Sequence, residues 1–189
     1  FGADTKHGVL GWGRSAVPGL WHPYAYINGG GMNLEWFRRE ILAHGGATAP
    51  SLEELNSLAS SVEPSLEDPI FVPHLAGRVS PGWPELRGAW AGLSWSHSAG
   101  NLYRALLEGV ALEYGIYRDV LTEILPDLEL GEVRVTGGGE KSDVWNRIKA
   151  DVLGVRVVKV TRSEGAPLGA ALLAGYGVGL FADLDEVAQ

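Results

Sequence analysis

The chain has 189 residues, of which 46% are hydrophobic and 20% are charged, a balance that suits one folded domain and excludes a disordered chain. Its net charge of −8 argues against a nucleic-acid-binding surface, and the absence of cysteine excludes disulfides, thiolate metal sites and a cysteine nucleophile. No signal peptide and no apolar run of membrane-spanning length are visible, so we expect a cytoplasmic protein with neither nucleic-acid nor membrane partners.

Strand and helix patterns alternate along the chain. Residues 1–20 are glycine-rich without a clear period, so no element is predicted there. The patterns predict strands at residues 21–27, 70–72, 88–93, 132–136 and 156–160. They predict helices at residues 33–42 (ending before Gly45 and Gly46), 51–61, 98–125, 142–153 and 167–175. This alternation, with no repeat and no linker, indicates a single α/β domain.

Three of the helices carry specific expectations. Ser51 and Glu54 have the spacing of a capping box, which predicts a short surface helix. Ala170, Ala171 and Ala174 would let the last helix lie close on its sheet. The apolar face of the long helix, which Pro126 ends, is assigned to Leu102, Ala105, Leu106, Gly109, Leu112, Ile116 and Val120.

A run of three glycines joins the fourth strand to the next helix. Gly137, Gly138 and Gly139 have no Cβ atoms, so a ligand could approach their N–H groups closely. Ser142 stands at the N-cap position, Gly154 at the C-terminal end, and the start of the helix favours phosphate. The run matches neither the P-loop nor the dinucleotide fingerprint. Phosphate binding and a plain tight connection are both open interpretations.

A second junction of the same type lies earlier in the chain. Residues 29–31 are all glycine and lead into the helix around Leu34 and Trp36. The two junctions together favour a nucleotide-binding domain over a plain α/β fold.

No catalytic group stands out. Arg104 and Glu108 are best interpreted as an ion pair on one helix, and Asp143 as a partner of the helix dipole. The histidines lack the spacing of metal ligands: His7, His22, His44, His74 and His97. Three serines lack the motif of a nucleophile elbow: Ser94, Ser96 and Ser98. The chain therefore predicts a binding module or one part of an enzyme, with no metal site of its own.

Six segments, in order and spacing, resemble the C-terminal domain of the FGGY carbohydrate kinases, closest to the xylulokinase branch. They are Phe71-Val-Pro-His-Leu75, Arg87-Gly-Ala-Trp-Ala-Gly-Leu93, Tyr103-Arg-Ala-Leu-Leu-Glu-Gly109, Thr136-Gly-Gly-Gly-Glu-Lys-Ser142, Lys149-Ala-Asp-Val-Leu-Gly154 and Leu168-Gly-Ala-Ala-Leu-Leu-Ala174. The resemblance implies an actin-like ATPase or ribonuclease-H-like fold, in which two domains close on MgATP and a sugar.

The resemblance also implies a nucleotide site. Gly138 with its neighbours Gly137 and Gly139 would contact the phosphates, and Ser142 would lie near the adenine. Gly31 and Glu35 would line the nucleotide from the earlier junction. The catalytic aspartate and the first phosphate loop of the family are expected upstream of Phe1, so no residue here is assigned a catalytic or metal role.

The implied reaction is phosphorylation of D-xylulose to D-xylulose 5-phosphate by ATP. The N-terminal domain of the same enzyme is the implied partner, so we expect this chain alone to be inactive. The start at Phe1 suggests a fragment, and the family also allows a homodimer. Ribulose, glycerol and gluconate are alternative substrates, and a non-catalytic actin-like ATP-binding module is the alternative from another class. The loop 77–81 departs from the Gly-Glu-Arg sequence of many members.

Overall fold

A computed structural model describes residues 8–43, 47–160 and 165–184 of the chain. The two predicted features at His7 and at 44–46 lie outside these residues. The described strands form three two-stranded sheets: β1 (Gly11–Arg14) with β2 (Trp21–Tyr24), β3 (Ile70–Val72) with β4 (Ala89–Ala91), and β5 (Glu132–Val135) with β6 (Arg156–Lys159). The helices are α1 (Gly30–Trp36), α2 (Leu52–Ser61), α3 (Ala99–Ile124), α4 (Asp143–Leu153) and α5 (Gly165–Gly177).

In the β1–β2 hairpin, β1 lies in the stretch where the sequence predicted no element, whereas β2 lies within the predicted strand 21–27. Its strands are antiparallel, with Gly11 opposite Tyr24 and Gly13 opposite His22. A Cβ at Gly11 would overlap the Tyr24 ring. The strand therefore needs glycine because aromatic side chains of β2 lie across it. The residue pattern of β1 alone does not show this need. The strand β2 ends at Tyr24, three residues before the predicted end.

The first glycine junction begins a helix earlier than the sequence predicted. Gly29 takes a left-handed conformation with φ of 86°, and α1 starts at Gly30 rather than at Asn33. After Trp36 the backbone continues as a π-helix over Phe37–Leu42. Phe37 is fully buried and anchors this segment in the core.

The long helix α3 forms the centre of the core, and it packs against α2, α4 and β3. Its buried residues include Tyr103, Leu107 and Val110, a spacing of four and three that places them on one face. The predicted face is wrong in its second half, where Leu112 is 49% and Ile116 is 41% exposed. The buried stripe follows the helices and the strand that cover α3, rather than the leucine and isoleucine positions.

The segment β5–α4–β6 contains the predicted strand, helix and strand, and the structure joins them as a parallel βαβ unit. Val133 pairs in register with Val157, and α4 packs against both β6 and α3. Ser142 caps the start of α4, and Gly154 ends it with φ of 65°. This unit carries the second glycine junction at the carboxyl end of β5.

The last helix does not lie on the sheet, so that expectation is wrong. Ala170, Ala171 and Ala174 are exposed, and α5 has no buried residue. Its start lies near the end of β5: a Cβ placed on Gly165 would be 3.6 Å from the Thr136 hydroxyl. The parallel sheet of the described residues has two strands, and α4 covers it, so little surface is left for α5.

Within the described part of the chain, no helix combines the length and the apolar character that crossing a membrane requires.

Candidate functional site

The second glycine junction is a tight turn with open backbone. Gly137 has φ of 77° and ψ of −164°, and residues Gly138–Lys141 form one 3₁₀ turn before α4. Among the residues that the structure describes, a Cβ placed on Gly137 or Gly138 would meet no atom within 4 Å. A Cβ on Gly139 would instead lie 3.2 Å from the Trp145 ring. The backbone at Gly138 is therefore open on the side where a ligand would lie.

Ser142 is held by two hydrogen bonds at the end of this turn. Its hydroxyl accepts the N–H of Trp145 at 3.3 Å and donates to the side-chain oxygen of Asn56 at 2.9 Å. The Trp145 indole donates to the Leu107 carbonyl at 3.0 Å, which ties α4 to α3. The hydroxyl of Ser142 is thus used within the protein, and the residue fixes the turn against α2.

The first glycine junction is held more tightly. The Asn33 N–H donates to the Gly29 carbonyl at 2.8 Å, and the buried Asn33 side chain donates to the Pro73 carbonyl at 3.2 Å. A Cβ on Gly30 would touch Val110 of α3 at 3.9 Å, whereas one on Gly31 would meet nothing. Only Gly31 of this junction therefore offers free space.

The carboxylate of Glu35 is engaged away from the glycines. It accepts from Arg38 at 2.9 Å and lies 3.2 Å from the Arg39 guanidinium. These two arginines neutralise a charge that would repel phosphate if it faced a nucleotide.

The two junctions meet at one groove of about 1200 Å³. Four of the six predicted site residues line it: Gly31, Gly138, Gly139 and Ser142. Glu35 and Gly137 are not among the described residues that line it. Tyr103, Leu34 and Val144 give the groove an apolar floor, which suits a planar ring, while the glycine turn supplies N–H donors at one side.

Helix α2 forms the opposite wall, which the sequence analysis missed by treating α2 as a surface helix. Its capping box is present as predicted: Ser51 and Glu54 bond each other's backbone N–H at 2.7 and 3.1 Å. Five polar residues with helical spacing face the groove: Glu53, Asn56, Ser57, Ser60 and Ser61. A polar stripe opposite the buried Leu55 and Ala59 is the signal that could have revealed this wall.

A buried lysine lies beneath the glycine turn. The Lys149 ammonium sits 4.2 Å from the centre of the Trp145 ring and donates to the Asn146 side chain at 3.2 Å. Burial lowers the pKa of Lys149 to about 8. This lysine lines an adjoining, mainly apolar cavity of about 570 Å³, which shares Gly31 and Gly139 with the groove.

The loop that departs from the family sequence is anchored by a buried charge network. Glu113 of α3 accepts from Arg78 at 3.1 Å and lies 3.0 Å from the His74 ring nitrogen. Gly77 has φ of 83°, and a Cβ there would lie 2.6 Å from the Pro84 carbonyl oxygen. The arginine in this loop therefore bonds inward to the core helix, and glycine is required beside it.

The remaining expectations concern Arg104, Glu108 and Ser98, which do not line the groove, and Asp143, which lines it next to Ser142. Arg104 and Glu108 form the predicted ion pair at 2.8 Å. Ser98 caps α3 through its bond with the Asn101 N–H, and Asp143 pairs with Lys159. Across residues 8–43, 47–160 and 165–184, no group of three or more acidic or histidine side chains could hold a metal ion.

Comparison with known proteins identifies the family. The model of the FGGY family of carbohydrate kinases, C-terminal domain, matches residues 3–178, so the chain belongs to that family. The xylulose kinase of Rhodospirillum rubrum superposes with a TM-score of 0.73 and 32% identity, over 95% of this chain and 35% of that one. The resemblance drawn from the sequence and its actin-like, ribonuclease-H-like fold are confirmed.

The curated relatives are sugar and polyol kinases. A xylulose kinase of Staphylococcus epidermidis is 29% identical over 92% of this chain and 34% of its own length. A gluconokinase of Bacillus licheniformis is 35% identical over 86% of this chain and 33% of its own length. Glycerol kinases are also similar. The chain thus spans about a third of the length of these relatives.

Proposed function

We propose that this chain is the nucleotide-binding part of an FGGY sugar kinase, and that the whole protein transfers the γ-phosphoryl group of ATP to D-xylulose. The observation that carries the proposal is the meeting of both glycine junctions at one groove with open backbone. Phosphoryl transfer depends chiefly on positioning and on donors for the phosphate charge, and this groove offers both.

In this proposal, different residues of the groove contact different parts of the nucleotide. The N–H groups of the turn at Gly138 and Gly139 bind phosphate oxygens, and the nucleotide lies against Gly31, where no side chain fills the space. Tyr103, Leu34 and Val144 pack against the base and exclude water from it. Ser142 holds the turn at a fixed distance from α2 through Asn56.

Other groups complete the reaction from the rest of the protein. The acceptor hydroxyl attacks the γ-phosphorus, the bond to the β–γ bridging oxygen breaks, and ADP leaves. We propose that the base for the hydroxyl proton belongs to the N-terminal domain. The described residues offer no carboxylate cluster for Mg²⁺, so we assign no step through this ion to the chain.

Gluconate is the second candidate substrate. The gluconokinase of Bacillus licheniformis exceeds the Staphylococcus xylulose kinase in identity, 35% against 29%, although over a smaller share of the chain. Glycerol and ribulose complete the set of acceptors to be compared. The cytoplasmic location and a homodimer stay predictions.

The test is ADP release by the longest native form of the protein with MgATP and each acceptor in turn. D-xylulose should give the highest kcat/KM, with gluconate, glycerol and D-ribulose as comparators and a reaction without sugar as the blank. Higher turnover with gluconate would replace the substrate and leave the kinase in place. ATP binding with no acceptor-dependent ADP release would favour the non-catalytic ATP-binding module.

A further inference from the structure

Helix α2 presents a polar side chain to the groove, on the wall opposite the glycine turn. Asn56 is half-buried, lies in the middle of the helix and lines the groove. The preceding residue, Leu55, is completely buried, which fixes the rotation of α2 about its axis. Asn56 is therefore held toward the groove by the packing of its neighbour.

Two hydroxyl groups fix the orientation of the Asn56 amide. Because Ser142 already accepts the Trp145 N–H, its own proton is donated to Oδ1 of Asn56 at 2.9 Å. The buried Tyr103 hydroxyl approaches the same oxygen at 3.5 Å. The amide oxygen thus faces two donors, and Nδ2 has no partner among the described residues. Nδ2 is the amide atom left to a ligand in the groove.

We propose that Asn56 recognises the base of the bound nucleotide, with Nδ2 donating a hydrogen bond to a ring nitrogen of a purine. This inference rests on the proposed nucleotide function and adds a base-reading residue to it. The site favours a base over a phosphate here, because the amide is neutral and lies beside the apolar Leu34, Leu52 and Tyr103.

The chemistry of the amide sets what it can discriminate. Since Oδ1 is occupied, Asn56 offers only a donor, and adenine and guanine both carry ring acceptors such as N7. Asn56 therefore strengthens purine binding without separating adenine from guanine.

The experiment compares Asn56→Asp with the unchanged protein, in its longest native form. Aspartate keeps an acceptor for Ser142 and Tyr103 and replaces only the outward donor by an oxygen. In about 0.15 M salt, calorimetry gives the Kd of ATP and of GTP for this variant, and the Kd of inorganic tripolyphosphate for the uncharged Asn56→Ala, because the aspartate adds a charge at the groove that salt screens only beyond about 8 Å. ATP and GTP should each bind roughly 10- to 100-fold more weakly.

The tripolyphosphate measurement distinguishes two roles of Asn56: recognition of the base and support of the glycine turn. The affinity of tripolyphosphate should stay within about threefold, because it carries no base to lose the bond. Leu58→Ala is the control on the same helix: Leu58 is exposed and does not line the groove, so ATP affinity should not change. Asn56→Ala, which keeps a good helix former, tests the same loss if the aspartate variant does not fold.

Unchanged ATP affinity in the Asn56 variants would overturn base recognition while leaving the nucleotide groove intact. An equal loss of tripolyphosphate and ATP would also overturn it and make Asn56 a support of the turn. Absence of ATP binding by the unchanged protein would overturn the proposed function itself.

Discussion

The two glycine junctions are alike in sequence, and their backbones serve different purposes. At the first, Gly29 is left-handed, its carbonyl accepts from Asn33, and Gly30 lies against Val110 of α3. At the second, Gly137 and Gly138 have free space where side chains would be. The first junction is mainly an internal connection, and the second keeps its backbone open to the groove.

This difference teaches that a run of glycines is explained by what lies opposite each residue. Glycine is needed where another atom already occupies the Cβ position, as at Gly11, and where a ligand would occupy it, as proposed at Gly138. Substitutions separate the two reasons, because a packing glycine costs stability when replaced and a ligand-facing glycine costs affinity.

The largest expected effect is that of Gly138→Val. The valine would fill the free space beside the turn and displace the phosphates, so we expect ATP affinity to fall by roughly a hundredfold or more. The melting temperature should change little, since no atom of the described ranges lies within 4 Å of the new Cβ. Calorimetry with ATP and a thermal melt of the longest native form measure both quantities.

Gly131→Val is the control for that variant, because Gly131 also has free space but does not line the groove. It should bind ATP normally. Equal ATP affinity in the two variants would mean that the second junction is a plain connection like the first.

The next effect concerns the lysine beneath the second junction. The pKa of Lys149 is about 8 in the folded protein and 10.5 in the free side chain, so between these values the unfolded chain binds more protons. The folded protein therefore gains stability as pH rises through this range. Lys149→Met removes the titration, so its stability relative to the unchanged protein should fall by about 2 kcal/mol between about pH 7.5 and 9.5.

Urea unfolding of both proteins at the two pH values measures this difference. The titration of the tyrosines cancels in the comparison, because both proteins contain them. A stability difference that stays constant with pH would show that Lys149 titrates as an ordinary exposed lysine.

The smallest effect is expected beneath the first junction. Asn33→Leu removes the buried bond to the Pro73 carbonyl and leaves that oxygen unpaired, at a cost of about 1 to 2 kcal/mol in the free energy of unfolding. ATP affinity should stay within about twofold, since Asn33 does not line the groove. Chemical denaturation and calorimetry test this split, and a large loss of affinity with normal stability would contradict it.

Local signals in the sequence were enough to predict much of the second junction. Val133 and Val135 alternate with polar residues, Ser142 has the chemistry of an N-cap, and Gly154 that of a left-handed end. Each of these effects acts within one turn of the residue concerned. The βαβ unit and the glycine turn could therefore be located before any tertiary contact was known.

The features that the sequence did not predict depend on contacts between residues that are distant in sequence. The glycines of β1 are explained by Tyr24 and His22 across the hairpin, and the exposure of α5 depends on how little sheet is left to cover. The role of α2 as a wall depends on the Asn56–Ser142 bond, which joins residues 86 positions apart. No pattern within the helix specifies that contact.

The buried network of Glu113, Arg78 and His74 has a consequence for the evolution of the loop. Glu113 is only 6% exposed, so loss of Arg78 would leave an uncompensated negative charge in the core. Loss of Glu113 would leave Arg78 without its carboxylate partner. Neither residue can change alone without this cost, so evolution should link the two positions, although they are 35 residues apart. In an alignment of relatives, positions 78 and 113 should change together, with an uncharged residue at one accompanying an uncharged residue at the other.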